Sequence, residues 1–131
     1  MTTICEGRII YTRPALPDPQ GNNGKSERPW VIINTKKEIE RGDDLIIVAS
    51  TTLAPDPLLP TSPFVLLPWG RHNRSGLSSP SVAHCGWIYY LDREDVSDFG
   101  GLIEAKVLDS IRIKVNRFLA AGGIVLEWPP A

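Results

Sequence analysis

The sequence predicts an α+β domain: a small β-barrel of short strands followed by one long C-terminal helix. Three observations predict it. Twelve prolines and eleven glycines cut the chain into short segments, and several of these are β-branched or aromatic runs. After Asp92 the apolar period changes, and Val107, Leu108, Ile111, Val115, Phe118 and Leu119 recur at helical spacing. Strands this short and this numerous do not suit one flat sheet, and closing them into a barrel removes exposed edges. The 131 residues make a single domain, 1–131. At that size roughly two-thirds of the unfolded chain's surface can be buried, enough for a core without staples.

The elements follow in order. Residues 5–13 form a first strand around Ile9, Ile10 and Tyr11, and residues 14–27 form a long polar loop rich in Pro, Gly and Asn. A loop of that length in a compact domain is functional or disordered. Residues 29–34 (PWVIIN) form a second strand, with Pro29 first, where no ladder donor is needed. Thr35 caps a one-turn helix through Ile39, and Asp43-Asp44 turn the chain into a buried central strand at 45–50. A proline-rich loop, TTLAPDPLLPTSP, leads to a fourth strand at 64–69, and a polar turn at 71–80 leads to a fifth at 81–91. Gly86 within that strand suggests a bulge. The terminal helix runs from about Leu102 to Leu119, with Gly100-Gly101 before it and Gly122-Gly123 ending it. The last residues, IVLEWPPA, form a short edge strand or fray.

Composition narrows the function classes. Apolar residues make up 42% and charged residues 22%, ordinary globular values, and the net charge is −1. No global field attracts nucleic acid, so any such affinity must come from a local basic patch and stacking aromatics. Two cysteines, Cys5 and Cys85, are too few for a disulfide scaffold, and they read as reduced, buried thiols. With His72 and His84 they show no metal-ligand spacing, so no metal and no cofactor is expected. The N-terminus MTTICEGRII lacks the pattern of a secretory signal, and no stretch nears the ~18 apolar residues of a membrane span. A cytoplasmic location, away from any membrane, is the expectation.

Three segments in order carry a family resemblance. GRIIYTRPALPDPQGNNGKSERPWVIIN holds a strand, a glycine-bearing loop ending in Ser26-Glu27, then Arg28-Pro29 and an apolar strand. LIIVASTTLAP is an apolar strand ending in the hydroxyl pair Thr51-Thr52. SVAHCGWIYYLDREDV is a late strand leading into an Asp92-Arg93 turn ahead of the terminal helix. Together, over residues 7–119, these resemble the PemK/MazF family of toxin–antitoxin endoribonucleases. The resemblance implies an SH3-like barrel, a homodimer, metal-independent cleavage of single-stranded RNA such as mRNA, and inhibition by an antitoxin protein. Many members of that family carry an Asp-Gln pair in the late strand, where this chain has Gly86-Trp87. That departure keeps open a second expectation: an inactive barrel that only binds RNA or protein.

Metal-free RNA cleavage uses the 2′-hydroxyl as nucleophile. It needs a base, an acid for the leaving 5′-oxygen, and positive charge for the phosphorane. Arg28 is the expected source of that charge, held at a loop-to-strand junction yet exposed. Thr51 and Thr52 offer hydroxyls to a phosphate oxygen, and His84 offers a group that titrates near neutrality in place of the missing carboxylate. Arg28, Thr51, Thr52 and His84 are therefore the expected catalytic residues. Ser26 and Glu27 on the long loop, and the basic group Arg71, His72 and Arg74, are the expected RNA-binding residues. Trp30, Trp69 and Trp87 read as core or dimer contacts before stacking platforms. Lys106, Arg112, Lys114 and Arg117 read as the solubilising face of the helix.

Overall fold

A computed structural model describes residues 3–52 and 60–130. Among them run β1 (Arg8–Thr12), β2 (Trp30–Ile32), α1 (Lys36–Arg41), β3 (Leu45–Thr51), β4 (Phe64–Leu67), β5 (Ser81–Leu91), β6 (Val96–Leu102), α2 (Ala105–Ala120) and β7 (Leu126–Glu127). The sheet order is β4-β5-β3-β2-β1-β6, with β7 added to β5. The paired strands are antiparallel except for the parallel β5–β7 pair. This is the expected α+β class, a mostly antiparallel sheet with a C-terminal helix. The strand path is open rather than a closed ring. Its two ends meet at one place: Gly101 and Leu102 of β6 donate backbone N–H bonds of 3.0 and 2.9 Å to the Ser75 and Arg74 carbonyls in the β4–β5 connection. Part of the expected proline-rich loop, residues 53–59, lies outside the described residues.

The central strands are buried on both faces, which is why they read as unbroken apolar runs. Alternate residues serve two cores. Ile9, Val31, Val48, Ala83 and Ile88 join Leu108, Ile111 and Val115 of α2. Ile10, Trp30, Ile32, Ile47 and Tyr89 join Leu16 from the 14–27 loop. One face is thus covered by α2, and on the other Leu16 of the loop joins Ile39 of α1, Phe99 of β6 and Trp128.

β6 departs from expectation, since the sequence predicts Gly100-Gly101 as the approach to the helix and Leu102 as its first turn. The segment VSDFGGL is instead an edge strand paired to β1. Its glycines hid it, because Gly is depleted in strands, yet close approach requires them. A Cβ on Gly100 would sit 2.9 Å from Ile9 Cγ2, and one on Gly101 would collide with the Arg74 carbonyl oxygen.

α1 shows the expected Thr35 cap as a full capping box. The Glu38 N–H donates to Thr35 Oγ1 at 3.3 Å and the Thr35 N–H to Glu38 Oε1 at 2.8 Å. The helix runs two residues beyond Ile39 and ends on Gly42 at φ 80. Arg93, from the Asp92-Arg93 turn, donates to the Ile39 carbonyl at 2.8 Å and pins that end.

The basic residues of α2 are more than a solubilising face. Arg112 donates to the Ile33 and Asn34 carbonyls at 2.9 and 2.6 Å and pairs with Glu6 at 2.7 Å. Lys114 donates to the Ser62 and Phe64 carbonyls at 2.8 Å each, while Lys106 is exposed as expected. These heads satisfy carbonyls at strand ends, a use that helical periodicity does not reveal. Cys85 is buried, and burial pushes its thiol up to about 12, so it is unreactive near neutral pH. Cys5 is only half-buried, contrary to expectation, because it precedes β1 rather than lying within it.

Candidate active site

Arg28 stands where the 14–27 loop meets β2. It is held as expected: Nη1 donates to the Ser50 carbonyl at 2.8 Å and Nη2 to the Asn23 carbonyl at 2.9 Å. It is not exposed as expected, since only 8% of it is accessible. The loop folds back over it, supplying Asn23 above while the Trp87 ring lies 4.4 Å from the guanidinium carbon. Burial lowers its pKa from the usual arginine range, and the nearby Asp18 carboxylate opposes that shift. Arginine starts so far above neutrality that the group stays a cation. Two of its five donors are engaged by these carbonyls, and Nε makes no hydrogen bond among the described residues.

The threonine pair is divided by the alternation of β3. The Ser50 carbonyl that binds Arg28 lies one residue before Thr51, which pairs with Val82 of β5. Thr52 is exposed and lines a cleft of about 290 Å³ with Arg28, Ser50, Ser79 and Ser81. Of the pair, Thr52 shares the cleft with Arg28 and Thr51 continues the β3–β5 ladder.

His84 belongs to β5 at a deep bulge. Ala49 pairs with His84 and Val48 with Ile88, so Cys85, Gly86 and Trp87 have no partner on β3. This is the bulge that Gly86 suggested. Here the glycine also makes room, because a Cβ at 86 would lie 3.2 Å from His84 Cε1 and 3.4 Å from Phe118 Cε1. The imidazole packs edge-on against Phe64, at 4.8 Å between centroids, and its Nδ1 accepts the Gly86 N–H at 3.1 Å. With Nδ1 an acceptor, the neutral ring carries its proton on Nε2 and is a donor there. Burial lowers its pKa below the ordinary histidine value, with Asp18 acting in the opposite sense. In this state His84 is a neutral hydrogen-bond donor rather than a free base.

The loop holds what the sequence reading missed. The Pro17 carbonyl accepts both Trp87 Nε1 at 3.1 Å and the Tyr89 hydroxyl at 2.7 Å. The next residue, Asp18, accepts backbone N–H bonds from Gln20 and Asn22 at 3.0 Å each, and Asn23 Nδ2 at 2.8 Å. Those bonds, the Asn22 N–H foremost, hold its carboxyl below the usual range. Asp18 acts electrostatically on Arg28, His84 and Tyr89 alike. In the sequence it is only the middle of a Pro-Asp-Pro turn, and nothing there signals a charge facing Arg28.

The expected RNA-binding residues separate into two groups. Ser26 and Glu27 are exposed and bonded to each other, Oγ to Oε2 at 3.0 Å, with Glu27 on the rim of the Arg28 cleft. Arg71, His72 and Arg74 are exposed in the β4–β5 connection, and Arg74 lines a different cleft with Glu6, Asp109 and Arg112. Trp69 is also exposed, at 48%, whereas Trp30 and Trp87 are core residues packed edge-to-face at 5.6 Å.

Comparisons with known proteins agree on one family. Three solved structures share the fold at low identity. An endoribonuclease in complex with its cognate antitoxin, from a mycobacterial species, is 16% identical with a TM-score of 0.63, covering 90% of this chain and 96% of that one. A MazE-MazF structure from Deinococcus radiodurans is 19% identical with a TM-score of 0.62, covering 91% and 99%. The Mycobacterium tuberculosis toxin MazF-mt6 is 17% identical with a TM-score of 0.60, covering 86% and 96%. No curated protein matches the chain by sequence. The family model for PemK-like, MazF-like toxins of type II toxin–antitoxin systems matches residues 6–119, and the chain belongs to that family.

Proposed function

We propose that this chain is the toxin of a type II toxin–antitoxin pair, a cytoplasmic endoribonuclease that cuts single-stranded RNA without a metal or other cofactor. The observation that carries the reading is Arg28: a buried cation, fixed by two backbone carbonyls and lining one cleft with Thr52. A fixed charge of this kind suits a phosphorane, because it requires no reorganisation as negative charge develops. The 2′-oxygen attacks phosphorus, the bond to the 5′-oxygen breaks, and the proton lost from the 2′-hydroxyl is balanced by one delivered to the leaving oxygen. The products are a 2′,3′-cyclic phosphate and a 5′-hydroxyl. Thr51 and Thr52 donate to phosphate oxygens, His84 donates through Nε2, and Ser26, Glu27, Arg71, His72 and Arg74 line the RNA path. The SH3-like closure of the sheet, a homodimer and an antitoxin protein belong to the same reading. The solved neighbours that include an antitoxin complex and a MazE-MazF structure support that last partner.

The test is incubation of the purified chain with single-stranded RNA in EDTA. The expected result is cleavage to 5′-hydroxyl ends, slowed about 10²–10³-fold in Arg28→Ala, the loss typical of one such donor group. Full activity in that variant overturns the assignment. A second reading, an inactive barrel that binds RNA or protein, is favoured by the bulge at Gly86, which carries no carboxylate, and by His84 Nδ1 being engaged. RNA bound but uncut at every pH selects it.

A further inference from the structure

The Arg28 cleft holds a buried hydroxyl that no described residue uses. Ser81 is the first residue of β5 and is 6% exposed, and its Oγ has no hydrogen-bond partner among the described residues. A second buried serine shows what the fold normally does with such a group. Ser75, 1% exposed, donates from Oγ to the Pro68 carbonyl at 2.8 Å and accepts the Leu77 N–H at 3.2 Å. An unbonded buried hydroxyl costs stability, so natural cores seldom keep one. Ser81 lines the same cleft as Arg28, whose Nε is the other unpartnered buried donor there. Two orphan donors on one cleft point to a shared acceptor from outside the chain.

The cleft holds a third donor. Thr51 pairs with Val82 at the end of the antiparallel β3–β5 ladder, and the residues next to them, Thr52 and Ser81, line the same cleft. The β4–β5 connection holds this wall in place: Ser81 pairs with Leu67 on β4, and the Gly70 N–H donates to the Leu77 carbonyl at 2.9 Å. Among the described residues of the cleft the only carboxylate, Glu27, already accepts the Ser26 hydroxyl at 3.0 Å. Lys25 adds a second cation at the rim.

We propose that Ser81 is a phosphate-binding residue, donating its hydroxyl, with that of Thr52, to a phosphodiester anion whose charge Arg28 neutralises. This rests on the reading of the chain as an RNA-cleaving toxin and adds a residue to its site. The hydroxyl is preformed and desolvated, so the phosphate meets a donor that no internal bond must release.

Two probes separate the proposal from the reading beneath it. The first is a single-stranded RNA made uncleavable by 2′-O-methylation, titrated against the wild-type chain and Ser81→Ala. Removing one hydrogen bond to a charged group weakens binding about 10-fold or more. The thermal midpoint of Ser81→Ala stays level or rises, because the substitution deletes an unsatisfied hydroxyl. The second probe is inorganic phosphate, followed at the Arg28 Nε–H and residue-81 amide resonances, which shift in the wild type at about 10-fold lower phosphate than in Ser81→Ala. Phosphate shifts without RNA binding support the site and overturn the ribonuclease reading. Unchanged RNA affinity and cleavage in Ser81→Ala overturn the site and leave that reading standing. A midpoint lowered by several degrees overturns the site, since it shows that the hydroxyl is bonded within the fold.

Discussion

The two faces of the sheet are covered in opposite ways. On one, α2 packs Leu108, Ile111 and Val115 against Ile9, Val48 and Ile88, a dry apolar contact. On the other, the 14–27 loop covers Trp30, Trp87 and Tyr89 with Leu16 alone from the apolar side and otherwise holds on by polar bonds: Pro17 to two aromatic donors, Asn23 to Arg28. The helix-covered face is held by apolar packing. The loop-covered face keeps polar groups near a buried cation, so the proposed chemistry belongs to it, and functional loops are drawn from the weakly held parts of a fold.

Substitutions on each face test that division. Ile111→Ala, at a fully buried position, is expected to cost about 2–5 kcal/mol in urea unfolding while leaving the activity per folded molecule intact. Lost activity at full folding would mean that α2 also shapes the site. Tyr89→Phe removes one hydrogen bond to Pro17 and is expected to cost only about 0.5–1.5 kcal/mol, with faster proteolysis within 14–27. A cost equal to that of Ile111→Ala would erase the distinction between the faces. The smallest effect is on pH dependence. His84 has a lowered pKa when folded, so below about pH 6.5 the unfolded chain binds the proton more readily. The stability that His84 holds at neutral pH is therefore lost as pH falls through the ordinary imidazole range, and His84→Gln should show a flatter stability profile between pH 7 and 5. Parallel profiles would mean that the ring titrates alike in both states. The same shift places any His84-dependent limb of the cleavage profile on the acid side of the ordinary histidine pKa.

The two faces also differ in how far they could be read in advance. Residues that repeat with a period announce their partner: the stripe from Val107 to Leu119 predicts α2, and the β-branched run at 45–50 predicts β3. Thr35 and Gly86 were legible because capping and bulging have local chemical signatures. β6 was hidden because Gly100 and Gly101 are there for Ile9 and Arg74, which are remote in sequence. Arg28 and Thr51-Thr52 stood out through short motifs. The burial of Arg28, the Asp18 charge beside it and the idle hydroxyl of Ser81 arise only when the loop and three strands converge. Lys114 was misread for the same reason, since its carbonyl partners lie 52 and 50 residues away.

The stitch between β6 and the β4–β5 connection has a consequence for life in a crowded cell. An edge strand with free N–H and C=O groups is a template for a neighbour's strand and a start for aggregation. β6 is such an edge, but its Gly101 and Leu102 amides are spent on the β4–β5 connection. At Asp98, farther along the strand, an exposed charge stands on the edge and bends back to accept the next residue's N–H, that of Phe99, at 2.8 Å. The glycine that disguised the strand therefore also guards it. Any side chain at 101 would push the connection away and uncover two donors. Gly101→Val should show itself first as concentration-dependent self-association, seen by light scattering.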